Sequence, residues 1–540
     1  MAQDYLSKSG DFEWQRRAAA NFVGDVIYEK AQSHPDDAAI IWTTGQDDTP
    51  PVTISFSALK SATNRAAALL DALGLARGDV VLLIASRQLA WWEIILACLQ
   101  RGIVVSPGTT QLTAKDITYR LRASGAKAIF TISSLAKVVD EAAVDMNALH
   151  KISIDGAVEG WRDYERELAT LTPLEEVADT QAHDHALYFF TSGTTGEPKM
   201  TVHGHSYPFC HETTGRFWVK AAQGKVIWNI SDTGWAKAAW TSLFAPWICG
   251  AAIFALHQDG FDPDVIIDCL NKYPITTLCA PPTAYRMFVR NDVSGCQFKS
   301  LERCVSAGEP LNPEVIELWK QQTGLDIFEG YGQTETVILC GSFDGMEIRP
   351  GSMGLPAPGV VLDVIDHEGN PMPAGEEGDI AVNLKPHPPL GMFLEYKDDA
   401  KRTQASFKNG WYLTGDRAIR DGDGYFWFVG RSDDVILSSG YRIGPFEVES
   451  VLFEHEAVAE SAVVASPDPV RGEVVKAFIV LAQGVKGDEQ LVKTLQDYAK
   501  QTTAPYKYPR KIEFVDSLPK TVSGKIKRNE LKKQEWKNVK

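Results

Sequence analysis

Thr191-Ser-Gly-Thr-Thr-Gly-Glu-Pro-Lys199 gathers hydroxyl side chains, two glycines and one lysine into nine residues. Glycines let backbone N–H groups converge on an anion, hydroxyls add donors, and a lysine adds charge. Thr191, Ser192, Gly193, Thr194, Thr195, Gly196 and Lys199 are therefore candidate phosphate ligands. The loop is not of the Walker A type, because Pro198 stands where that pattern needs Gly and Met200 where it needs Ser or Thr. Downstream, Phe328-Glu-Gly-Tyr-Gly-Gln-Thr-Glu335 sets two glycines, an aromatic ring, a hydroxyl and a carboxylate side by side. Thr334 suits a phosphate oxygen, and Glu335 suits Mg²⁺, a cation that takes hard oxygen ligands. A tight turn with a helix cap fits the same residues without any ligand. Tyr412-Leu-Thr-Gly-Asp416 reads as a strand ending on a carboxylate, a group able to accept both hydroxyls of a ribose. Thr521-Val-Ser-Gly-Lys-Ile-Lys527 carries Lys525 on a Gly-containing turn, either as surface charge or as a cation that reaches a neighbouring cleft.

Other groupings carry less chemistry. His203, His205 and His211 cluster with Glu212, but spacings of 2 and 6 do not fit a helix-borne pair of metal ligands. They are read as core or pocket wall. No Gly-x-Ser-x-Gly elbow occurs, so hydrolase chemistry of that kind lacks its local signature. Trp228, Trp240 and Trp247 read as core. Trp235 follows the turn residues Ser231-Asp-Thr-Gly, which places it on a loop able to wall an apolar pocket.

Rigid elements must hold these groups. Val80-Val-Leu-Leu-Ile84 predicts a buried strand, and Trp91, Ile94, Ile95 and Cys98 predict a helix over residues 89–100. Strand signals recur at 126–130, 186–190, 225–228 and 276–279, which implies parallel sheets covered by helices. From about residue 350 to 430, short alternating runs between Gly and Pro turns predict a small β-rich barrel or sheet. The polar stretch Gly430-Arg-Ser-Asp-Asp434 reads as a boundary. Beyond it, a helix at 446–453, strands at 460–465 and 476–481, and a helix at 489–502 predict a small α/β unit. Residues 505–540 hold 11 basic and 4 acidic side chains.

The chain has 540 residues, enough for one large domain plus a small one. Its 44% apolar and 23% charged content is ordinary globular usage. With 54 basic and 70 acidic residues the net charge is −16, which argues against a nucleic-acid partner. The 8 cysteines include no C-x-x-C pair, so the expectation is a reducing compartment without disulfides. No run of about 18 apolar residues is present to span a membrane.

These motifs in this order resemble the adenylate-forming superfamily of acyl-CoA synthetases, firefly luciferases and peptide-synthetase adenylation domains, over nearly the whole chain. Within it the likeness is greatest to the medium-chain acyl-CoA synthetases. It is carried by Ser231-Asp-Thr-Gly-Trp235, Tyr331-Gly-Gln-Thr-Glu-Thr336, Ser438-Ser-Gly-Tyr-Arg-Ile-Gly-Pro445, and the stretches 466–478 and 503–514. The resemblance implies an α/β fold: a large N-terminal adenylation domain over 1–432, including the β-rich subdomain, and a mobile C-terminal lid over 433–540. It implies that a small carboxylic acid and ATP give acyl-AMP and pyrophosphate, and that CoA then gives acyl-CoA and AMP, with Mg²⁺ required.

By the same resemblance, residues 191–199 grip the β- and γ-phosphates, while Gly308, Glu309, Pro310, Glu329, Gly330 and Tyr331 enclose adenine. Thr334 binds the α-phosphate and Glu335 the Mg²⁺. Asp416 and Arg431 hold the ribose, and Arg442 assists. Lys525 bridges carboxylate and α-phosphate. Ser439, Gly440, Tyr441, Arg471, Tyr508 and Arg510 contact CoA, Asp433 is the hinge, and Trp235 shapes the acyl pocket. The acid expected is short-chain, medium-chain or aromatic. The alternative is a stand-alone adenylation enzyme that loads a carrier protein. Monomer and dimer both remain open. Residues 1–5 read as neither a secretory signal nor an Arg-rich leader of the kind animal members carry, and residues 537–540 are not a peroxisomal address. The expectation is therefore a cytoplasmic protein.

Overall fold

The computed structural model describes residues 5, 12–46, 49–143, 148–191, 198–258, 260–438, 441–469, 471–520 and 525–537, with Arg442 by its backbone alone. Val80–Ile84 is apolar on both faces and becomes a strand buried along its whole length, as parallel strands covered on both sides are. Leu89–Arg101 forms the expected helix, and every residue from Ala90 to Gln100 is buried except Glu93. An apolar helix of this kind must be enclosed. It shares one core with Val81 and Leu83 from one sheet and Ile253 and Ala255 from another, so it lies between them.

Among the described residues the strands form three sheets. The largest holds six parallel strands in the order Ile327–Gly332, Arg303–Ala307, Thr277–Ala280, Val226–Asn229, Ala252–Leu256 and Ala38–Thr43. A second sheet is parallel through its centre, Val80–Ile84 and Val104–Gly108, and continues through the antiparallel pair His185–Thr191 and Lys199–Gly204 to the short edge strand Glu395–Tyr396. The third belongs to the C-terminal domain and is built on Val458–Asp468 against Gly472–Leu481.

The β-rich stretch is not a separate barrel. Ile327–Gly332 pairs antiparallel with Ile338–Gly341, and the large sheet continues through Ser352–Pro356, Phe426–Arg431, Trp411–Arg420, Glu377–Asn383 and Leu362–Ile365. Extending the sheet satisfies backbone groups that an exposed edge would leave unpaired. Asp416 also departs from expectation: it lies within the ten-residue strand Trp411–Arg420, not at its end. The chain leaves the large sheet at Arg431, turns through 432–434 and enters the C-terminal sheet at Ile436.

Candidate active site

One cavity of about 1140 Å³ opens where the parallel strands end, between the two domains. Open α/β sheets bind ligands at the carboxyl ends of their strands. Here Ala307 ends one strand and leads into Gly308, Glu309 and Pro310, and the next strand delivers Glu329, Gly330 and Tyr331. All six line the cavity, as do Thr191, Lys199, Thr334, Glu335, Asp416, Arg431 and Lys525.

Thr191 and Lys199 face each other across the antiparallel pair. The tip between them, with Ser192, Gly193, Thr194, Thr195 and Gly196, lies outside the described residues. The Thr191 hydroxyl is buried at this mouth without a hydrogen-bond partner among the described residues. A buried donor in that state costs about 1–3 kcal/mol unless a ligand uses it, which suits a phosphate.

No helix follows Glu335. The Thr334–Glu335 turn joins two antiparallel strands. Tyr396 Oη donates to Glu335 Oε1 at 2.6 Å. Lys199 Nζ donates to the same oxygen at 3.3 Å and to Tyr396 Oη at 3.2 Å. Burial, and then the Glu335 carboxylate, push the Tyr396 phenol well above the usual tyrosine range, so it stays a donor. His203 Nε2 donates to the Thr334 carbonyl at 2.7 Å, and burial pulls this imidazole down to about 4, leaving it neutral. His205 and His211 are buried, the latter against Phe244 and Trp240. Among the described residues no cluster of three or more ligating side chains could cage a metal. Mg²⁺ is commonly held by one or two carboxylates together with substrate phosphates. Glu335, held beside the phosphate loop, fits that use.

Asp416 and Arg431 are direct cross-strand neighbours, 3.8 Å apart at their charged ends. Tyr331 Oη and Gln333 Nε2 both donate to Asp416 Oδ2, at 2.6 and 2.7 Å. Tyr412 Oη in turn holds Gln333 Oε1 at 3.0 Å. One carboxylate oxygen is thus tied to the protein. Burial raises the Asp416 carboxyl above its usual range, against the opposing pull of Arg431. Burial alone pushes Glu329 up to about 8, with only the Leu311 N–H, at 3.2 Å, working against it.

Lys525 enters from the C-terminal domain. Its segment is fixed by the Lys520–Ile526 bridge, by Lys527 N donating to Pro519 O at 2.8 Å, and by Arg528 donating to both oxygens of Glu449 at 3.1 and 2.6 Å. Burial lowers the Lys525 ammonium below the usual lysine range, while Glu309, Asp416 and Glu335 oppose that shift.

Other expected residues lie elsewhere. Asp433 sits in the turn after Arg431, 3.5 Å from its Nε. Trp235 caps the short helix Ala236–Ala239, half-buried and away from the cavity lining. Tyr441 stacks on Tyr506 with centroids 4.2 Å apart, and Arg510 donates to Tyr508 Oη at 2.8 Å. Arg471 adjoins Gly472, which pairs with Ser438 of the hairpin that carries Tyr441. These form a second cluster on the C-terminal domain. Ser439, Gly440 and the Arg442 side chain lie outside the described residues. Sequence reasoning missed Gln333 and Tyr396 as site residues; Gln333 stood inside the quoted motif, and Tyr396 carried no local signal. His203, read as core or pocket wall, is a fully buried group that supports the Thr334 turn.

A cavity at the strand ends, lined by carboxylates together with Lys199, Arg431 and Lys525, suits an enzyme that handles a charged nucleotide. The chain belongs to the AMP-binding enzyme family, whose profile matches residues 27–387, with the C-terminal domain of that family matching 447–525. Within it the chain is an AMP-forming acyl-CoA synthetase of the medium-chain branch, an acid–thiol ligase that uses ATP, Mg²⁺ and CoA. It is 49% identical to the human mitochondrial acyl-coenzyme A synthetase ACSM3, over 99% of this chain and 93% of that one. Human mitochondrial ACSM5 is 47% identical, over 96% and 90%. Among solved structures, the anthranilate CoA ligase AuaEII in complex with anthranoyl-AMP superimposes with a TM-score of 0.88 at 28% identity, covering 99% of each chain. A benzoate CoA ligase from Burkholderia xenovorans LB400 gives 0.83 at 27%, covering 95% and 99%.

These relatives correct one expectation. The reading of a cytoplasmic protein is overturned, because relatives sharing half their residues with this chain are mitochondrial. Organelle addresses are read by receptors and stand outside the folded body, so the motifs of the body carry no information about them.

Proposed function

We propose that the acid is a medium-chain fatty acid or an aromatic acid, and that the cavity residues divide the work as follows. The described part of the phosphate hairpin, Thr191 and Lys199, binds the β- and γ-phosphates. Gly308, Glu309, Pro310 and Glu329 to Tyr331 enclose adenine. Asp416 and Arg431 hold the ribose, and Thr334 the α-phosphate. Glu335 would hold Mg²⁺, which when bound with ATP neutralises phosphate charge. A carboxylate oxygen of the acid attacks the α-phosphorus, the bond to the β-phosphate bridging oxygen breaks, and pyrophosphate leaves with the electron pair. Lys525 stands where negative charge from carboxylate and α-phosphate crowds together, and its ammonium stabilises that charge in a water-poor site. The C-terminal domain, 433–540, then turns about Asp433. Lys525 withdraws, and the cluster of Tyr441, Arg471, Tyr508 and Arg510 presents CoA. The thiolate attacks the acyl carbon and AMP leaves.

The observation that carries this reading is Lys525, brought by the C-terminal domain into the cavity that holds Asp416 and Glu335. The test is product mass spectrometry with ATP, Mg²⁺ and a panel of acids from acetate to dodecanoate, benzoate and phenylacetate, with and without CoA. Acyl-CoA and AMP are expected with medium-chain or aromatic acids. Lys525→Ala is expected to lose acyl-AMP formation by about a hundredfold or more, the order seen when a charge-stabilising group is removed. Unimpaired acyl-AMP formation by that variant would refute the assigned role.

A further inference from the structure

Helix Pro282–Arg290 stands at the rim of the cavity and carries Arg286 and Arg290 one turn apart on one face. Like charges at i and i+4 repel, so the helix gains nothing by itself from this arrangement. Both guanidinium groups lie over the same ring across the domain gap: Phe453, at 5.9 and 5.0 Å from its centroid. Phe453 ends the helix Pro445–Phe453 of the C-terminal domain. Arg290 also donates to the carbonyls of Val458 and Ala459 at 3.3 and 3.0 Å, where the first strand after that helix begins. Arg286 donates to Asn312 Oδ1 at 3.0 Å, and Asn312 Nδ2 donates onward to Ser450 Oγ at 3.2 Å. Ser450 adjoins Glu449, whose carboxylate grips Arg528, three residues beyond Lys525. Side-chain hydrogen bonds joined by short backbone steps therefore link the arginine helix to the segment that presents Lys525.

We propose that Arg290, assisted by Arg286, is the dock that holds the C-terminal domain in the pose that puts Lys525 in the cavity. It is a positioning residue for adenylation and not for thioester formation. The inference rests on the reading that Lys525 serves the first half-reaction and then withdraws. The chemistry suits a reversible dock. The planar guanidinium of Arg290 lies over the Phe453 ring while its Nη2 donates to both carbonyls, a rigid geometry that the flexible stem and compact ammonium of a lysine do not hold. The contacts are few and polar, as in interfaces within a chain that permit domain motion.

The test separates the two half-reactions in the full-length protein. Acid-dependent ATP–pyrophosphate exchange reports adenylation, and rapid mixing of purified acyl-adenylate with CoA reports thioester formation. Arg290→Ala is expected to lower exchange about tenfold, a loss of about 1.4 kcal/mol, while the supplied adenylate is consumed as fast as in the wild type or faster. Arg290→Lys keeps the charge but not the planar group over Phe453 and is expected to lose exchange as well. Phe453→Leu tests the same dock from the other side if Arg290→Ala folds poorly. Amide hydrogen exchange over 454–461 is expected to rise in Arg290→Ala and stay unchanged over 327–332. Equal losses in both half-reactions, no loss in exchange, or unchanged protection over 454–461 would overturn the dock. Lys525→Ala tests the underlying reading separately. If it retains wild-type exchange, that reading fails; if it loses exchange while Arg290→Ala does not, only the dock fails.

Discussion

The Glu335 carboxylate stands in the cavity wall, and the closest group holding it is a phenol. Removing that donor in Tyr396→Phe leaves the ring against Lys199 but deletes a 2.6 Å hydrogen bond to the carboxylate. Hydrogen bonds to charged groups contribute about 1.5–3 kcal/mol. The apparent KM for Mg-ATP in a pyrophosphate-release assay is expected to rise about tenfold or more, and the melting temperature to fall by a few degrees. Glu329 makes a different prediction, on pH. Its carboxyl titrates near 4.5 when unfolded and near about 8 when folded. The folded form keeps the proton longer, so this group's stabilisation is complete below 4.5 and is lost as pH rises through about 8. Glu329→Gln removes that slope. Its thermal stability relative to the wild type is expected to grow across that window, by up to about 1.4 kcal/mol per pH unit. Glu329 was legible in its motif. Tyr396 was not, because its partners Glu335 and Lys199 lie 61 and 197 residues away and its own neighbours show no pattern.

The turn that presents Thr334 and Glu335 depends on a close backbone approach. A Cβ at Gly332 would meet the Val337 carbonyl oxygen at 2.2 Å and the Trp240 ring at 3.0 Å. Gly332→Ala must therefore push the turn outward. ATP–pyrophosphate exchange is expected to fall at least about tenfold, and melting to drop by a few degrees, as for an overpacked site costing about 1–3 kcal/mol. Elements with strong local patterning were readable in advance. Val80–Ile84 is a buried strand and Glu489–Thr502 a helix whose Asp488 side chain accepts from the Leu491 N–H. The position of Asp416 was not readable. Its strand runs on through register shifts against both neighbours, and such irregularities depend on partners far away in the chain. For the same reason the pairing of the β-rich stretch was not readable: nothing local in it specifies that Ser352–Pro356 will pair with Ile338–Gly341.

All eight cysteines are free thiols, six buried and only Cys249 and Cys296 partly exposed. The thiolate is the reactive form, and burial pushes Cys249 up to about 12. Native protein treated with iodoacetamide is expected to label first at Cys296 and slowly at Cys249, and denatured protein at all eight sites without prior reduction. Peptide mass spectrometry reads both patterns. The amino-acid sequence by itself determined the alternation of strand and helix and the Tyr331–Thr336 motif, and the order of its motifs along the chain gave the resemblance that implied the class of ligase. The strand and helix signals depend on residues within about ten positions of one another, where turn chemistry and hydrophobic period act. Only the tertiary structure decided which groups complete the site: Tyr396 between Lys199 and Glu335, Gln333 on Asp416, and Phe453 under two arginines of the other domain. Sheet register and domain docking bring these distant side chains within hydrogen-bonding or stacking distance, and neither is written in the local spacing of the chain.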